Sequence, residues 1–107
     1  MCLRARIQSS ARGLRLEALR ELNLSGCGEL TDAGLEQLVG LTPQLQTLRV
    51  TMNARLSAPR LRRPSLRSAS LCICANLKDE AVTHLCAHAE ALQELVLWRC
   101  PSLVAPV

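Results

Sequence analysis

Hydrophobic residues recur along this chain in one order that is repeated four times. Each copy opens on a leucine, at Leu19, Leu45, Leu66 and Leu92, and has apolar residues at its fourth and sixth positions. The first and last steps between these leucines are 26 residues each, and the middle step is 21. A phrase that returns at a near-constant period indicates a solenoid, in which each unit buries its apolar face against its neighbours.

The repeated phrase predicts a short strand in every copy. Its fourth and sixth positions have period 2, so their side chains point to the same side of an extended backbone. Leu22 and Leu24 therefore face the core in the first copy, and the residues between and beside them face outward. A cysteine or asparagine three residues after the last inward position is expected to fill the turn that follows. We predict about four short parallel strands.

The second half of the first and third copies has helical spacing. In the first copy Leu35 and Leu38 lie one turn apart, and Thr31 or Asp32 is placed to cap the start of the helix. In the third copy the inward positions are predicted to be Val82, Leu85 and Cys86. Strands on one side and helices on the convex side predict an α/β horseshoe with a parallel sheet.

Two stretches give this pattern a specific likeness. Residues 25–38 read S-G-C-G-E-L-T-D-A-G-L-E-Q-L, and residues 74–85 read C-A-N-L-K-D-E-A-V-T-H-L. Both resemble the cysteine-containing subclass of leucine-rich repeats, which is found above all in F-box/leucine-rich-repeat proteins. The resemblance implies a curved scaffold whose concave face holds a target protein. In such proteins a separate F-box tethers the target to a cullin-RING ubiquitin ligase for ubiquitination.

The chain departs from that family in two ways. Family helices end in C-P-x-L, whereas Thr42-Pro43 and Ala89-Glu90 occupy the corresponding positions here without the cysteine. No F-box is recognisable before Leu14, and such a domain needs about 40 residues or more of its own. We therefore expect residues 14–107 to be a leucine-rich-repeat domain without an F-box. An adaptor role would belong to a longer product, and the alternative is a truncated product without independent function.

The strand register also predicts which side chains meet a partner. The outward strand positions, which would stack into the concave face and are called the strand face below, are Glu21, Asn23, Ser25, Thr47, Arg49, Thr51, Ser68, Ser70, Cys72, Glu94, Val96 and Trp98. Because tryptophan and arginine are enriched in binding hot spots, we predict that Trp98, Arg99 and Arg49 contact the partner. The alternative is that Trp98 covers the open end of the core. Cys72 is the cysteine expected to be exposed and reactive.

The middle of the chain, residues 53–67, breaks the pattern. It holds five arginines and two prolines, and the position equivalent to Leu38 falls on Pro64, so we expect an irregular loop in place of a helix. The arginines from Arg55 to Arg67 suggest an alternative function, binding of nucleic acid or an acidic membrane. No aromatic residue accompanies them and the net charge is only +4, so we favour solvated arginines and expect no nucleic-acid partner.

Composition favours a small non-catalytic domain. No apolar run among the 107 residues approaches the ~18–20 residues of a membrane span. Neither a glycine-rich phosphate loop nor a nucleophile elbow occurs, so we predict no enzyme activity and no cofactor. His84 and His88 share a helix face, but no further ligand is placed beside them, so no metal site is predicted.

The cysteines and the N-terminal residues bear on the compartment. Four of the six cysteines are assigned to repeat turns or to a helix, and no secretory signal is visible, so we expect reduced thiols in the cytoplasm or nucleus. The first 16 residues hold four arginines and no acidic residue, which is the composition of a mitochondrial transit peptide. The interpretation we favour is that they are the basic last helix of a preceding, damaged repeat. We expect residues 1–13 to be poorly ordered, and the uncapped ends of the stack to permit self-association.

Overall fold

The computed structural model describes residues 4–7, 16–26 and 30–103, and every element below lies in these ranges. In chain order the elements are β1 (Arg4–Ile7), a 3₁₀ turn (Leu16–Ala18), β2 (Leu19–Asn23), α1 (Asp32–Gly40), β3 (Thr47–Thr51), β4 (Ser68–Cys72), α2 (Asp79–His88) and β5 (Glu94–Val96). The five strands form one sheet in the order of the chain. Neither helix of the described ranges has the length and apolar character needed to cross a bilayer.

Strands β2, β3, β4 and β5 are parallel neighbours. Their inward residues align across the sheet, with Leu22 opposite Leu48, Leu48 opposite Ala69, and Ala69 opposite Leu95. Parallel neighbours require a crossover between strands, and α1 and α2 supply it after β2 and after β4. The predicted α/β class with about four parallel strands is confirmed.

The core lies between the sheet and the two helices. Leu22, Leu48 and Leu71 of the strands belong to one cluster with Leu35 of α1 and Leu85 of α2, and each is at most 1 % exposed. Full burial of one such side chain contributes about 1.5–3 kcal/mol. The helices therefore cover the inward side of the sheet and leave the strand face on the other side.

Threonine hydroxyls bond to the backbone near both ends of helix α1. The Thr31 hydroxyl accepts a hydrogen bond from the backbone N–H of Gly34 at 3.1 Å, so Thr31 is the N-cap. After the helix ends, the buried Thr42 hydroxyl donates to the carbonyl oxygens of Leu38 and Val39 at 3.0 and 3.1 Å. Carbonyls at a helix end lack partners within the helix, and the single hydroxyl hydrogen of Thr42 is shared between these two.

The connection from β3 to β4 contains no helix over residues 53–67. The carboxylate of Asp32 in α1 instead accepts hydrogen bonds from the backbone N–H and hydroxyl of Ser57, both at 3.0 Å, and from the N–H of Ala58 at 3.2 Å. Glu36, one turn further along α1, accepts from the N–H of Arg60 at 3.0 Å. Two carboxylates of the preceding helix therefore satisfy donors that a helix at this place would have used itself.

Strand β1 lies within residues 1–13, whose expected poor order stays a prediction. Residues 4–7 pair antiparallel with β2, from Arg4 opposite Asn23 to Ile7 opposite Leu19. A strand edge presents a row of unpaired N–H and C=O groups, and a short segment that alternates basic and apolar residues can satisfy them. The rest of that N-terminal segment lies outside the described residues.

Candidate functional site

The strand face carries its predicted side chains in three rows that run across the parallel strands. The register places Thr47 beside Ser68 and Ser68 beside Glu94, and the other rows follow at every second residue. The exposed members are Arg49, Glu94, Val96 and Trp98, and the half-buried members are Glu21, Asn23, Ser25, Thr47, Thr51, Ser68 and Ser70. The fold therefore brings residues of four separate repeats onto one surface. Which of them contact a partner stays a prediction.

Hydrogen bonds link neighbouring side chains of the strand face. Asn23 Oδ1 accepts from the backbone N–H of Ser25 at 3.1 Å and from its hydroxyl at 2.5 Å, and the Thr51 hydroxyl donates to Ser25 Oγ at 2.7 Å. The Ser68 hydroxyl donates to Glu94 Oε1 at 2.9 Å. Side chains that are already held lose little rotamer entropy on binding, which favours association.

Cys72 is the one buried member of the strand face, so the prediction that it is exposed is wrong. Its side chain is 8 % exposed, and its sulfur lies 3.3 Å from Ser70 Oγ. Cys72 ends a central strand opposite Thr51, so the flanking strands shield its short side chain. Cys86 is exposed instead, although we placed it on the inward side of α2. The inward stripe of α2 runs through Ala81, Val82 and Leu85.

The turn after each parallel strand contains one left-handed residue at the same position of the repeat. The φ angles are 76° at Gly26, 55° at Met52, 56° at Ile73 and 56° at Arg99. Non-glycine residues strain the backbone there by about 1–3 kcal/mol. The backbone N–H donates to a carbonyl oxygen of the next unit: to Thr51 at 2.9 Å for Gly26, to Cys72 at 3.1 Å for Met52, and to Trp98, just after β5, at 2.7 Å for Ile73. These bonds between units offset the strain.

Large side chains are exposed along this line of turns, which we call the rim: Met52, Ile73, Trp98 and Arg99. Met52 is 57 % exposed and Trp98 is 55 % exposed. The Arg99 guanidinium carbon lies 4.7 Å from the centroid of the Trp98 ring, a cation–π contact that holds the two side chains together. An indole that is more than half exposed remains accessible to a partner.

An open cleft of about 910 Å³ lies beside the last strand, where the core ends. Leu95, Leu97 and Leu103 line it, with Ile73 and Arg99 at its border. These three leucines are half-buried, whereas the equivalent residues of the preceding copy are at most 1 % exposed. The cleft therefore has the apolar surface that the next unit of the stack would cover.

The predicted turn residues after the strands form hydrogen bonds to backbone groups. Asn53 is fully buried, and its Oδ1 accepts from the N–H groups of Arg55 at 3.0 Å and Leu56 at 3.3 Å. The Cys100 thiol donates to the carbonyl oxygen of Leu71 at 2.9 Å. Asparagine and cysteine thus both bond to the backbone at this position. Cys27, the first of the series, lies outside the described residues.

Cys74 is a structural thiol. Its side chain is fully buried, and burial raises the pKa to about 11 despite a hydrogen bond from the Asn53 backbone. The thiol is protonated at neutral pH and is neither a nucleophile nor a ready metal ligand. Within the ranges that the structure describes, no three His, Cys, Asp or Glu side chains are grouped to hold a metal ion.

The two histidines of α2 stack on each other. Their ring centroids are 4.1 Å apart, and His88 Nδ1 lies 3.0 Å from the carbonyl oxygen of His84. Desolvation, the neighbouring His88 and the cation of Arg60 all lower the pKa of His84, against the opposing effect of Glu36. His84 therefore favours its neutral form more strongly than a histidine in water does.

The five arginines of residues 53–67 do not form one free basic patch. Arg63 is half-buried, and its guanidinium donates to the carbonyl oxygen of Val39 at 2.7 Å, at the end of α1. A cation is favourable at a helix C-terminus, so Arg63 has a structural role. The other four are exposed: Arg55, Arg60, Arg62 and Arg67.

Comparison with protein families identifies the repeats. A family model described as "FBD-associated F-box protein At5g56370, LRR repeats" matches residues 1–105. The chain belongs to this leucine-rich-repeat family. The resemblance to the leucine-rich repeats of F-box proteins is confirmed, and membership suggests a role in protein interaction. No curated protein and no solved structure gives a match.

The leucine-rich-repeat pattern places the strand face but not the features around it. It did not reveal the left-handed turn position, because glycine occurs there only at Gly26. It also did not reveal that Asp32 bonds to the following unit, since an aspartate at a helix start usually signals capping. The pattern also did not reveal the cleft, because the spacing of leucines does not show that Leu95 and Leu97 are only half-buried.

Proposed function

We propose that these leucine-rich repeats form a solenoid that acts as a non-catalytic scaffold and binds a protein partner on the strand face. The observation that supports this function is the alignment of four parallel strands, which brings outward side chains into rows on one surface. The surface combines held polar groups with an exposed tryptophan beside an arginine. Aromatic residues and arginine are enriched in protein interfaces and in their hot spots.

The partner in this proposal is a ubiquitination target. The chain would serve as the target-recognition part of an F-box adaptor, in SCF-dependent ubiquitination. The supporting observation is membership in an F-box-associated repeat family. Recruitment of the ligase core would depend on an F-box, which we do not assign to these residues.

We place this function in the cytoplasm or the nucleus rather than the mitochondrion. Cys72, Cys74, Cys86 and Cys100 are all free thiols, as in compartments that keep cysteines reduced. Fluorescence microscopy of the tagged chain tests this assignment, and accumulation in mitochondria or in the secretory pathway would contradict it.

Binding of nucleic acid or an acidic membrane through the segment from Arg55 to Arg67 has less support. Arg63 is used to hold the end of α1, and the remaining arginines have no aromatic residue beside them in that segment. A binder of this kind would lose affinity steeply as salt is raised.

Affinity capture with matched variants tests the scaffold. The tagged chain is expressed in cells in three forms: unchanged, with Arg49→Glu on the strand face, and with Arg62→Glu in the arginine segment. Both positions are exposed, so neither charge reversal disturbs the core. The proposal expects proteins that are retained by the unchanged chain and by Arg62→Glu but lost from Arg49→Glu.

The captured protein is then purified, and its dissociation constant is measured. Weakening of about ten-fold by Arg49→Glu is expected, since a charge reversal inside an interface costs at least this much. Equal binding to all three forms would refute the strand face as the site. Ubiquitination of the same protein by a reconstituted ligase core, only when an F-box is fused to the chain, tests the adaptor role.

A further inference from the structure

We propose that Ser65 is a phosphorylation site for an arginine-directed serine/threonine kinase, and that the phosphate loosens the contact between its turn and the preceding repeat unit. This modification goes beyond the proposed partner binding and does not depend on it. Three separate observations lead to it: the residues around Ser65, the absence of a helix in its segment, and a guanidinium nitrogen of Arg63 that lacks a partner.

The residues around Ser65 have the charge pattern of a kinase substrate. Arg62 and Arg63 lie three and two residues before the serine, and Leu66 follows it directly. Kinases of the arginine-directed class select such serines with acidic pockets that pair with the two guanidinium groups. No acidic residue occurs over positions 37–78, so the segment does not fit kinases that select acidic substrates. The leucine after the serine does not fit the proline-directed class.

Other serines match this pattern less well. Ser9, Ser70 and Ser102 each have an arginine three residues before them but none two residues before, and Ser65 is the one serine of the chain with both. Ser70 also lies in β4, which is paired with a strand on either side. Ser9 lies outside the described residues. Ser102 is exposed and is therefore the comparison for the experiment below.

The segment that carries Ser65 can be presented to a kinase with little unfolding. Kinases bind the substrate segment in an extended form, and residues 53–67 contain no helix. Arg62 is exposed and Ser65 is half-buried in a single turn, in which the N–H of Leu66 donates to the carbonyl oxygen of Arg63 at 3.1 Å. Local opening of one turn costs less free energy than opening of a helix or a central strand.

The Ser65 hydroxyl connects its turn to the preceding unit. It donates to the carbonyl oxygen of Leu45 at 2.8 Å, and the carbonyl oxygen of Pro43 lies 3.3 Å away. Phosphorylation replaces the hydroxyl hydrogen, so both carbonyls lose their donor. The phosphate also brings a charge of about −1.5 to −2 beside these two oxygens, which repel it. The modification therefore weakens the contact between the two units.

Arg63 supplies a second reason for this loosening. One guanidinium nitrogen, Nη2, donates to the carbonyl oxygen of Val39 at 2.7 Å, but Nε is buried and has no hydrogen-bond partner among the described residues. A buried donor without an acceptor is unfavourable. A phosphate two residues along the chain offers the acceptor oxygens that a guanidinium prefers. We expect Arg63 to turn towards the phosphate and leave the end of α1.

The reaction requires only ATP and the kinase. Ser65 Oγ attacks the γ-phosphorus of ATP, the new O–P bond forms, and the bond from that phosphorus to the β-phosphate oxygen breaks. ADP leaves, and the hydroxyl proton passes to the catalytic aspartate of the kinase. The kinase holds the Mg²⁺ ions, so this chain contributes the nucleophile and the arginines that position it.

Phosphorylation of the full chain tests the site. The folded chain is incubated with Mg-ATP and the catalytic subunit of cyclic-AMP-dependent protein kinase, which serves as the arginine-directed probe, and mass spectrometry maps the phosphorylated residues. We expect Ser65 to be the main acceptor and Ser65→Ala to lose most of the incorporation. Ser102→Ala, which removes an exposed serine with one preceding arginine, is the matched control and should leave incorporation unchanged.

Two arginine variants test how the kinase selects the site. Arg62→Gln is expected to lower kcat/KM at Ser65 by about ten-fold or more, since a hydrogen bond from a charged group to the kinase is lost. Arg55→Gln, ten residues before Ser65, is the matched control and should have no effect. Both arginines are exposed, so neither change disturbs the core.

A peptide of residues 59–67, in which Ser65 is the only serine, gives the reference rate without the fold. The folded chain should react more slowly than this peptide, because its turn opens first. Failure of Ser65 to react in the folded chain, a faster reaction at Ser9 or Ser102, or an equal rate for Arg62→Gln would overturn the proposal.

Thermal unfolding tests the loosening. The chain phosphorylated at Ser65 alone is purified by ion exchange, and its melting temperature is compared with that of chain treated without ATP. We expect a melting temperature lower by about 4–8 °C, the shift that loss of one hydrogen bond produces in a domain of this size. Ser65→Ala loses the hydroxyl contact without gaining charge, so its shift should be smaller. An unchanged or higher melting temperature after phosphorylation would overturn the loosening.

Discussion

Asp32 connects two repeat units, and its removal is predicted to destabilise the fold more than removal of Glu80, an exposed carboxylate of the first turn of α2. Its two oxygens accept three hydrogen bonds from residues 57–58, at 3.0, 3.0 and 3.2 Å. Those residues have no helix of their own to supply acceptors. In Asp32→Ala, two backbone N–H groups and one hydroxyl lose their partner together.

The expected magnitude follows from those three bonds. A hydrogen bond to a charged group contributes about 1.5–3 kcal/mol and a neutral one about 0.5–1.5 kcal/mol. Asp32 is half-buried, so water can replace part of each interaction, and about 1 kcal/mol per bond is appropriate. We therefore expect Asp32→Ala to lower the free energy of unfolding by about 2–3 kcal/mol, or the melting temperature by about 10–20 °C for a domain of this size.

Urea unfolding, followed by far-UV circular dichroism and by the emission of Trp98, measures this change. Glu80→Ala is the matched control, since Glu80 lies exposed in the first turn of α2. It removes a similar helix-start charge, worth about 0.3–1 kcal/mol, but no bond to a neighbouring unit. Asp32→Asn, which keeps one acceptor oxygen, should lie between the two. Equal losses for Asp32→Ala and Glu80→Ala would show that the bonds between units contribute nothing.

Three further predictions concern single groups. The pKa of His84 is lower in the folded protein than the usual value of about 6.5, so the unfolded chain binds more protons just below that pH. The free energy of unfolding should therefore fall as the pH drops through this window. His84→Gln should flatten the dependence of the urea midpoint on pH. Maleimide should label Cys86 in the folded protein but Cys74 only after unfolding, because the Cys74 thiol is buried and has a pKa of about 11. Mass spectrometry maps the labelled cysteines, and early labelling of Cys74 would contradict its burial. Asn53→Ala should destabilise by about 2–3 kcal/mol, because the buried N–H of Leu56 and the part-buried N–H of Arg55 lose their acceptor. Asn76→Ala, which removes one exposed bond, should cost under about 1 kcal/mol in urea unfolding.

The strands and their outward faces were predictable because their signal is periodic. Leu22, Leu48 and Leu95 recur at the same position of the repeated phrase. The structure places them in aligned parallel strands, with Ala69 of β4 between Leu48 and Leu95. Burial on one side of a sheet determines which residues face the other side. The strand face therefore followed from the spacing of leucines, without any information about the helices.

The exposure of individual cysteines was not predictable from the same spacing. Cys72 occupies an outward position, but its small side chain sits on a central strand, where neighbouring strands bury it. Cys86 occupies the position equivalent to Val39, which is buried in α1, yet it is exposed in α2. The inward stripe of α2 uses Ala81 and Val82, so this helix is turned about its axis relative to α1. Helix rotation depends on packing against both neighbours and leaves little trace in one sequence.

The unit without a helix shows which part of the fold carries the proposed function. Over residues 53–67 the helix is replaced by an irregular connection, yet Leu48 of β3 keeps its register with β2 and β4, and Val50 keeps its register with β4. The sheet tolerates this loss because Leu56 and Leu61 of the connection are still buried, and because two carboxylates of α1 bind its backbone. A binding surface built on strands is thus insulated from variation on the helical side. Exposed substitutions in the connection, such as Arg62→Gln, are therefore expected to leave partner affinity unchanged even where they alter stability.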